Sequence, residues 1–326
     1  MTKIDIYSGF LGAGKTTLIK KMISEGYQNQ KLVLIENEFG EIGIDGGFLQ
    51  EAGINITEMN SGCICCSLVG DFGKALEKVI TEYHPDRVII EPSGVGKLSD
   101  VIGAVEKVTG HDVELGYTVA VADAGKVKLY MKNFGEFYNN QVETASTIIL
   151  SRTDAIPQAK LDAAVALLRE HNAEATVVTT PWNELTGEQL IEAMEGQASL
   201  AAELAKLEAE HEHHHHHHDH DEHCSCGCHD HDHHHADEVF TAWGVETAKK
   251  FTKGTIEAAL ASLDSGRFGF VLRAKGIVPC AEGGWIHFDY VPGEINVRMG
   301  SADVTGKLCV IGAQLTEEAV ARLFGV

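Results

Sequence analysis

No stretch of this 326-residue chain is long and apolar enough to span a bilayer. Positive charge is scarce: 26 Lys and Arg stand against 48 Asp and Glu, a net charge of −22. Such a chain repels phosphate backbones and anionic lipid surfaces, so neither nucleic acid nor a membrane is an expected partner. The N-terminus, "MTKIDIYSGF", lacks the basic stretch, long apolar core and cleavage site of a signal peptide, and enters a strand at once. The chain is therefore read as cytoplasmic, where thiols stay reduced. Cysteines are few, eight in all, yet "SGCICCSL" (61–68) crowds three of them together as Cys63, Cys65 and Cys66. A disulfide between sequence neighbours strains the backbone. Thiolates this close more often hold a soft or borderline metal.

What is present is ample apolar material, 44% of residues, enough for more than one core. Short apolar runs alternate with helical patterns: "KIDIYS" (3–8), "KLVLIE" (31–36), "RVIIE" (87–91), "YTVAVADA" (117–124), "STIILS" (146–151) and "ATVVTT" (175–180) read as strands. "DFGKALEKVITEYH" (71–84) and "AKLDAAVALLREH" (159–171) read as helices. Strands apolar throughout are those covered on both faces, so residues 1–196 are expected to form an α/β domain, doubly wound around a mostly parallel sheet. Residues 197–237 include "HEHHHHHHDHDEHCSCGCHDHDHHH" (211–235), which has no hydrophobic periodicity and reads as a linker. Beyond it, "EVFTAWGVE", "GFVLRAKGIV", "GWIHFDYVPG" and "KLCVIGAQL" read as strands, and "GTIEAALASL" and "TEEAVARLFG" as helices. Residues 238–326 are expected to form a smaller α+β domain.

"GFLGAGKTT" (9–17) fits the phosphate-binding pattern G-x-x-x-x-G-K-[ST] and sits between a strand and a helix. Gly9, Gly12, Ala13, Gly14 and Thr17 shape a loop whose N–H groups curl around a β-phosphate. Lys15 supplies a point charge, and the Thr16 hydroxyl suits Mg²⁺. A coincidental glycine-rich turn is the bland alternative, and the strand–loop–helix context disfavours it. "RVIIEPSGVG" (87–96) ends a buried strand in Glu91, a residue that can hold Mg²⁺ through water or order an attacking water. The N–H of Gly94 can sense a γ-phosphate; an ordinary acid before a turn is the alternative. "SRTD" (151–154) follows another apolar strand. There Asp154 can accept hydrogen bonds from guanine N1–H and its exocyclic amine, donors that adenine lacks. The stem of Arg152 can lie over the base. The competing role for Asp154 is a turn residue or helix cap.

The His-rich tract is a second kind of metal site. His213, His214, His215, His216, His217 and His218 stand beside acids and a further thiol cluster, Cys224, Cys226 and Cys228. An expression tag would sit at a terminus, and a merely solvated loop needs neither this much histidine nor C-x-C-x-C. Cys280 and Cys309 lie in apolar strand settings and read as core.

Taken together, "GFLGAGKTT", "ENEFGEIGID" (36–45), "SGCICC", "EPSG" (91–94), "RAKG" (273–276) and "HFDYVPG" (287–293) resemble the CobW family of P-loop GTPases over nearly the whole chain. The resemblance implies GTP hydrolysis coupled to delivery of a transition metal, often zinc, to a client metalloprotein, and kinship with the GTPases that insert nickel into urease and hydrogenase. It also places Glu36 and Glu41 in a nucleotide-sensing loop near the cysteines, as candidate ligands. A mixed thiolate–carboxylate set suits Zn²⁺ and is compatible with Co²⁺, Ni²⁺ or Fe²⁺. One motif departs: the family's Asn-Lys-x-Asp is here "SRTD", with Ser151 shorter than Asn and Asp154 retained. The small domain is expected to bind a client or to mediate homo-oligomeric assembly. Two rival functions are a metal buffer in which nucleotide only regulates release, and a P-loop kinase acting on a small metabolite.

Overall fold

The computed structural model describes residues 1–36, 69–110, 112–196 and 241–326. The chain divides into two units, Met1–Gln197 and Ala198–Val326.

The first unit is a six-stranded parallel sheet flanked by helices. In chain order it runs β1 (Thr2–Gly9), α1 (Lys15–Lys21), β2 (Leu32–Glu36), α2 (Val69–Tyr83), β3 (Arg87–Glu91), α3 (Leu98–Glu106), β4 (Val113–Asp123), α4 (Val127–Thr144), β5 (Thr147–Ser151), α5 (Gln158–His171), β6 (Thr176–Val178) and α6 (Gly187–Met194). The spatial order is β2-β3-β1-β4-β5-β6. The expected parallel α/β architecture is thus present, and all six expected strands appear. β4 starts earlier than the sequence suggested, where Val113 pairs with Thr2 and Glu114 with Lys3. Ile4, Ile6, Val88, Ile89, Ile90, Ile148, Ile149 and Leu150 are fully buried. Each such side chain contributes about 1.5–3 kcal/mol over exposure.

This topology brings several strand ends to one edge. Glu36 stands in register with Glu91, and Asp123 with Ser151, while Gly9 pairs with Val121. In open α/β sheets the crevice beyond the carboxyl ends of the strands is where ligands bind.

One charge within the core was not anticipated. Asp5 in β1 is fully buried, and it is ion-paired with buried Arg87 of β3. Its carboxylate also accepts from the Tyr27 hydroxyl at 3.0 Å and the Tyr117 N–H at 3.0 Å. The Arg87 guanidinium lies over the Tyr27 ring, 4.5 Å from its centroid, and the hydroxyls of Tyr7 and Tyr27 are 2.5 Å apart. Burial pushes the Asp5 carboxyl above the usual carboxylate range, against the opposing charge of Arg87.

The second unit is a five-stranded antiparallel sheet with two helices: β7 (Thr241–Thr247), α7 (Lys253–Leu263), β8 (Phe270–Pro279), β9 (Trp285–Val291), β10 (Glu294–Gly300), β11 (Gly306–Ala313) and α8 (Glu317–Phe324), in the order β10-β9-β8-β11-β7. Ile256, Leu260, Val320 and Phe324 of the helices share a core with Ala274, Ile286, Phe288 and Leu308 of the sheet. β10 is an addition to the elements expected. Its Ile295, Val297 and Met299 pair with Tyr290, Phe288 and Ile286, and this period of two could have disclosed it. Cys280 and Cys309 are buried and form no disulfide, as core positions would.

Candidate nucleotide site

The chain leaves β1 at Gly9 and turns through residues 10–14 into α1. Gly12 and Gly14 have φ of 70° and 106°, conformations that favour glycine. Lys15 and Thr16, the first residues of α1, therefore stand at a helix N-terminus, where free N–H groups favour anions. Lys15 is buried, with Nζ 4.0 Å from Glu91 Oε1. The Thr16 hydroxyl donates to the same carboxylate, 3.1 and 3.2 Å from its two oxygens. A hydroxyl and a carboxylate converging here are oxygen donors of the kind Mg²⁺ prefers, so the residues present fit that ion.

The loop after β3 lies against the phosphate loop. A Cβ at Gly94 would meet the Leu11 backbone nitrogen at 2.7 Å, so only glycine permits this approach. The carbonyls of Gly94 and Gly96 accept from Nε2 of buried Gln141 on α4, at 3.1 and 2.8 Å. Asn140 clamps the start of α3 through Ser99, with bonds of 3.2 and 3.0 Å. Sequence reasoning missed both residues; their roles arise only when α4 packs beside that loop.

The third segment follows β5. Ser151 is buried, with Oγ 3.5 Å from the Ala122 carbonyl. Arg152 is left-handed, φ 56°, an uncommon conformation for a side chain of this size. It directs the guanidinium back toward the phosphate loop: Nη1 donates to Asp123 Oδ2 at 2.6 Å and Nη2 to the Gly12 carbonyl at 3.0 Å. Asp123, buried at the end of β4, was not singled out in the sequence. Asp154 lies exposed in the short turn Thr153–Ala155. A cavity of about 290 Å³ joins these parts. Its walls are Ala13, Gly14 and Thr17, then Ser151, Arg152 and Asp154, then Pro181, Trp182 and Asn183. The last three also escaped the sequence reading, although a Pro-Trp pair a few residues past an apolar strand was a signal.

The structure thus gathers Lys15, Thr16 and Glu91 at one point and Ser151, Arg152 and Asp154 around one cavity. Glu36 lies beside Glu91 on the neighbouring strand. Glu41, Cys63, Cys65, Cys66, residues 213–218 and Cys224, Cys226 and Cys228 lie outside the described residues. Among the described residues, His, Cys, Asp and Glu form no group of three or more able to hold a metal ion.

A strand–loop–helix phosphate cradle at the carboxyl edge of a parallel sheet defines a P-loop nucleotide-binding protein. More particularly, residues 3–179 match the family described as CobW/HypB/UreG, nucleotide-binding domain, and residues 240–325 match the cobalamin synthesis protein cobW C-terminal domain. The chain belongs to this family. Among curated relatives, "Zinc chaperone YeiR" of Escherichia coli is 30% identical over 155 residues, 47% of each chain. "Zinc chaperone CobW" of Sinorhizobium sp is 30% identical over 187 residues, 48% of this chain and 52% of the relative. "Zinc chaperone YjiA" of Escherichia coli is 31% identical over 193 residues, 56% of this chain and 58% of the relative. The chain therefore spans about half the length of the curated relatives it matches. Among solved structures, Zn(II)-bound YjiA GTPase from E. coli aligns over 99% of this chain and 98% of its own, at 20% identity and a TM-score of 0.38.

Proposed function

We propose that this chain binds and hydrolyses Mg²⁺·GTP and uses the nucleotide state to handle a transition metal, zinc first among candidates, for delivery to a client protein. The observation that carries the reading is the meeting of Lys15, Thr16 and Glu91 at the mouth of the phosphate loop. Lys15 would offset charge on the β- and γ-phosphates, and the N–H groups of the loop would hold the β-phosphate. Thr16, with Glu91 directly or through water, would hold Mg²⁺, which when bound neutralises charge on the phosphate oxygens. Glu91 would also order an attacking water, and the N–H of Gly94 would read whether a γ-phosphate is present. Asp154 would select guanine over adenine.

The metal is cargo in this reading. Its proposed ligands are Cys63, Cys65 and Cys66 with Glu36 and Glu41, and the tract at 211–235 would collect further ions. Support comes from the donor chemistry of these residues and from relatives named as zinc chaperones.

The test is release of phosphate from GTP and from ATP, with every product identified. The reading expects GTP to be bound better than ATP, free phosphate to be released, and Lys15→Ala to abolish most turnover while leaving the fold intact. A phosphorylated small molecule would point to a kinase instead. Equal affinity for the two nucleotides would remove the guanine reading of Asp154.

A further inference from the structure

The cavity beyond the phosphate loop has one wall that no part of the nucleotide motifs accounts for. Trp182 follows β6 in the short turn Trp182–Glu184 and, like most tryptophans, buries the greater part of its area while keeping some of its surface open. It is held at both ends. Its indole N–H donates to the Leu150 carbonyl at 2.9 Å, the residue just before Ser151. Its six-membered ring lies against Gly14, where a Cβ would come within 3.1 Å of Cη2. The ring therefore runs from the base-reading segment to the phosphate loop, with its one polar group satisfied. What remains available is apolar ring surface on a cavity of about 290 Å³, near the ~300 Å³ lower bound of small-ligand sites.

The other groups around the cavity leave the base in need of such a surface. The buried Ser151 hydroxyl lies near the Ala122 carbonyl of the neighbouring strand. The Arg152 guanidinium is committed to Asp123 and the Gly12 carbonyl, which fixes its aliphatic stem as a second wall. Asp154 offers hydrogen bonds at a base edge, and no contact to a base face. A purine held only at its edge by an exposed carboxylate gains little, because water competes for the same bonds. A fixed aromatic wall supplies what is missing, since every purine has a π-face.

We propose that Trp182 is the stacking surface for the purine of the bound nucleotide, opposite or beside the stem of Arg152. Asp154 chooses the base and Trp182 supplies most of its hold. This rests on the nucleotide-binding reading given above.

The experiment measures GDP and inorganic pyrophosphate binding by calorimetry, and GDP binding by tryptophan fluorescence. Trp182 is the only tryptophan before Trp243, and the third is Trp285, so the signal of the first unit is its own. In the wild type, GDP changes the fluorescence and pyrophosphate does not. Trp182→Ala weakens GDP on the order of tenfold or more and leaves pyrophosphate within about twofold. Trp182→Phe, which keeps a ring and loses the indole N–H, retains GDP affinity within about threefold and loses the fluorescence change. Unchanged GDP affinity in Trp182→Ala overturns the proposal. So does an equal loss of GDP and pyrophosphate, which makes Trp182 a support for the phosphate loop. A wild type that binds pyrophosphate and not GDP refutes the stacking role, whereas one that binds neither removes the nucleotide reading and the proposal with it.

Discussion

Replacing Gly94 by alanine should damage hydrolysis far more than folding. The added Cβ would sit 2.7 Å from the Leu11 backbone nitrogen and 3.1 Å from its Cα. Restoring ordinary contact near 3.4 Å requires a shift of roughly 0.7 Å between two backbones, neither of which can rotate away. The Gly94 carbonyl is already 3.1 Å from Gln141 Nε2, so a shift of that size breaks the bond, at about 0.5–1.5 kcal/mol. Overpacking adds about 1–3 kcal/mol. The loop that would carry Glu91 and the Gly94 N–H to the γ-phosphate is then displaced, and a misplacement near 1 Å can cost on the order of 10²-fold in rate. We expect single-turnover phosphate release from GTP to fall tenfold to a hundredfold, on the order given by misplacement, with GDP affinity within about threefold. Calorimetry for GDP and a thermal scan separate this from unfolding. Turnover within twofold of wild type in a folded variant would refute the argument that this loop is built to approach the phosphates.

Three other outcomes follow from the same structure and sequence. Arg87→Met strands the fully buried Asp5 carboxylate, so it should cost about 3–5 kcal/mol, a drop in Tm on the order of 10 °C, partly recovered by adding Asp5→Asn; a Tm shift under about 2 °C would contradict the pairing. Burial pushes the Tyr7 and Tyr27 phenols well above their ordinary 10.0, so the unfolded chain releases these protons first. Stability is then complete below about pH 10 and falls as pH rises through it, by about 1.4 kcal/mol per unit and group, and Tyr7→Phe should flatten the fall in an alkaline unfolding series. Deleting residues 211–235 should lower the number of divalent ions bound per chain and leave GTP hydrolysis unchanged, and in the intact chain those ions should leave as pH drops through about 6.5; lost hydrolysis in the deletion would place the tract in the catalytic machinery.

The parts of the site that could be read from sequence are those whose chemistry is local. The phosphate loop is contiguous, and Glu91 and Ser151 to Asp154 each end an apolar strand that announces itself. The supporting residues could not be read this way, because their partners are distant. Gln141 is 47 residues from Gly94, and Arg87 is 82 from Asp5. An aspartate in "KIDIYS" carries no local sign of whether it faces water or a guanidinium. Arg152 shows the same limit. Its charge and stem were legible, but not the left-handed backbone that turns it onto Asp123 and Gly12. The helix α4 that supplies Asn140 and Gln141 was not delimited beforehand, and its backbone departs from helical geometry at Phe134.

The central claim is that nucleotide state and metal affinity are linked in one chain. Titrating zinc into protein lacking residues 211–235, once with a non-hydrolysable GTP analogue and once with GDP, tests it most directly, because the remaining thiol cluster is then not masked by histidines. The account predicts affinities that differ about 5- to 150-fold between the two states, with zinc shifting nucleotide affinity by the same factor, and loss of that difference in Cys65→Ser/Cys66→Ser. Identical zinc affinities in the two states would make the cluster structural and contradict the claim.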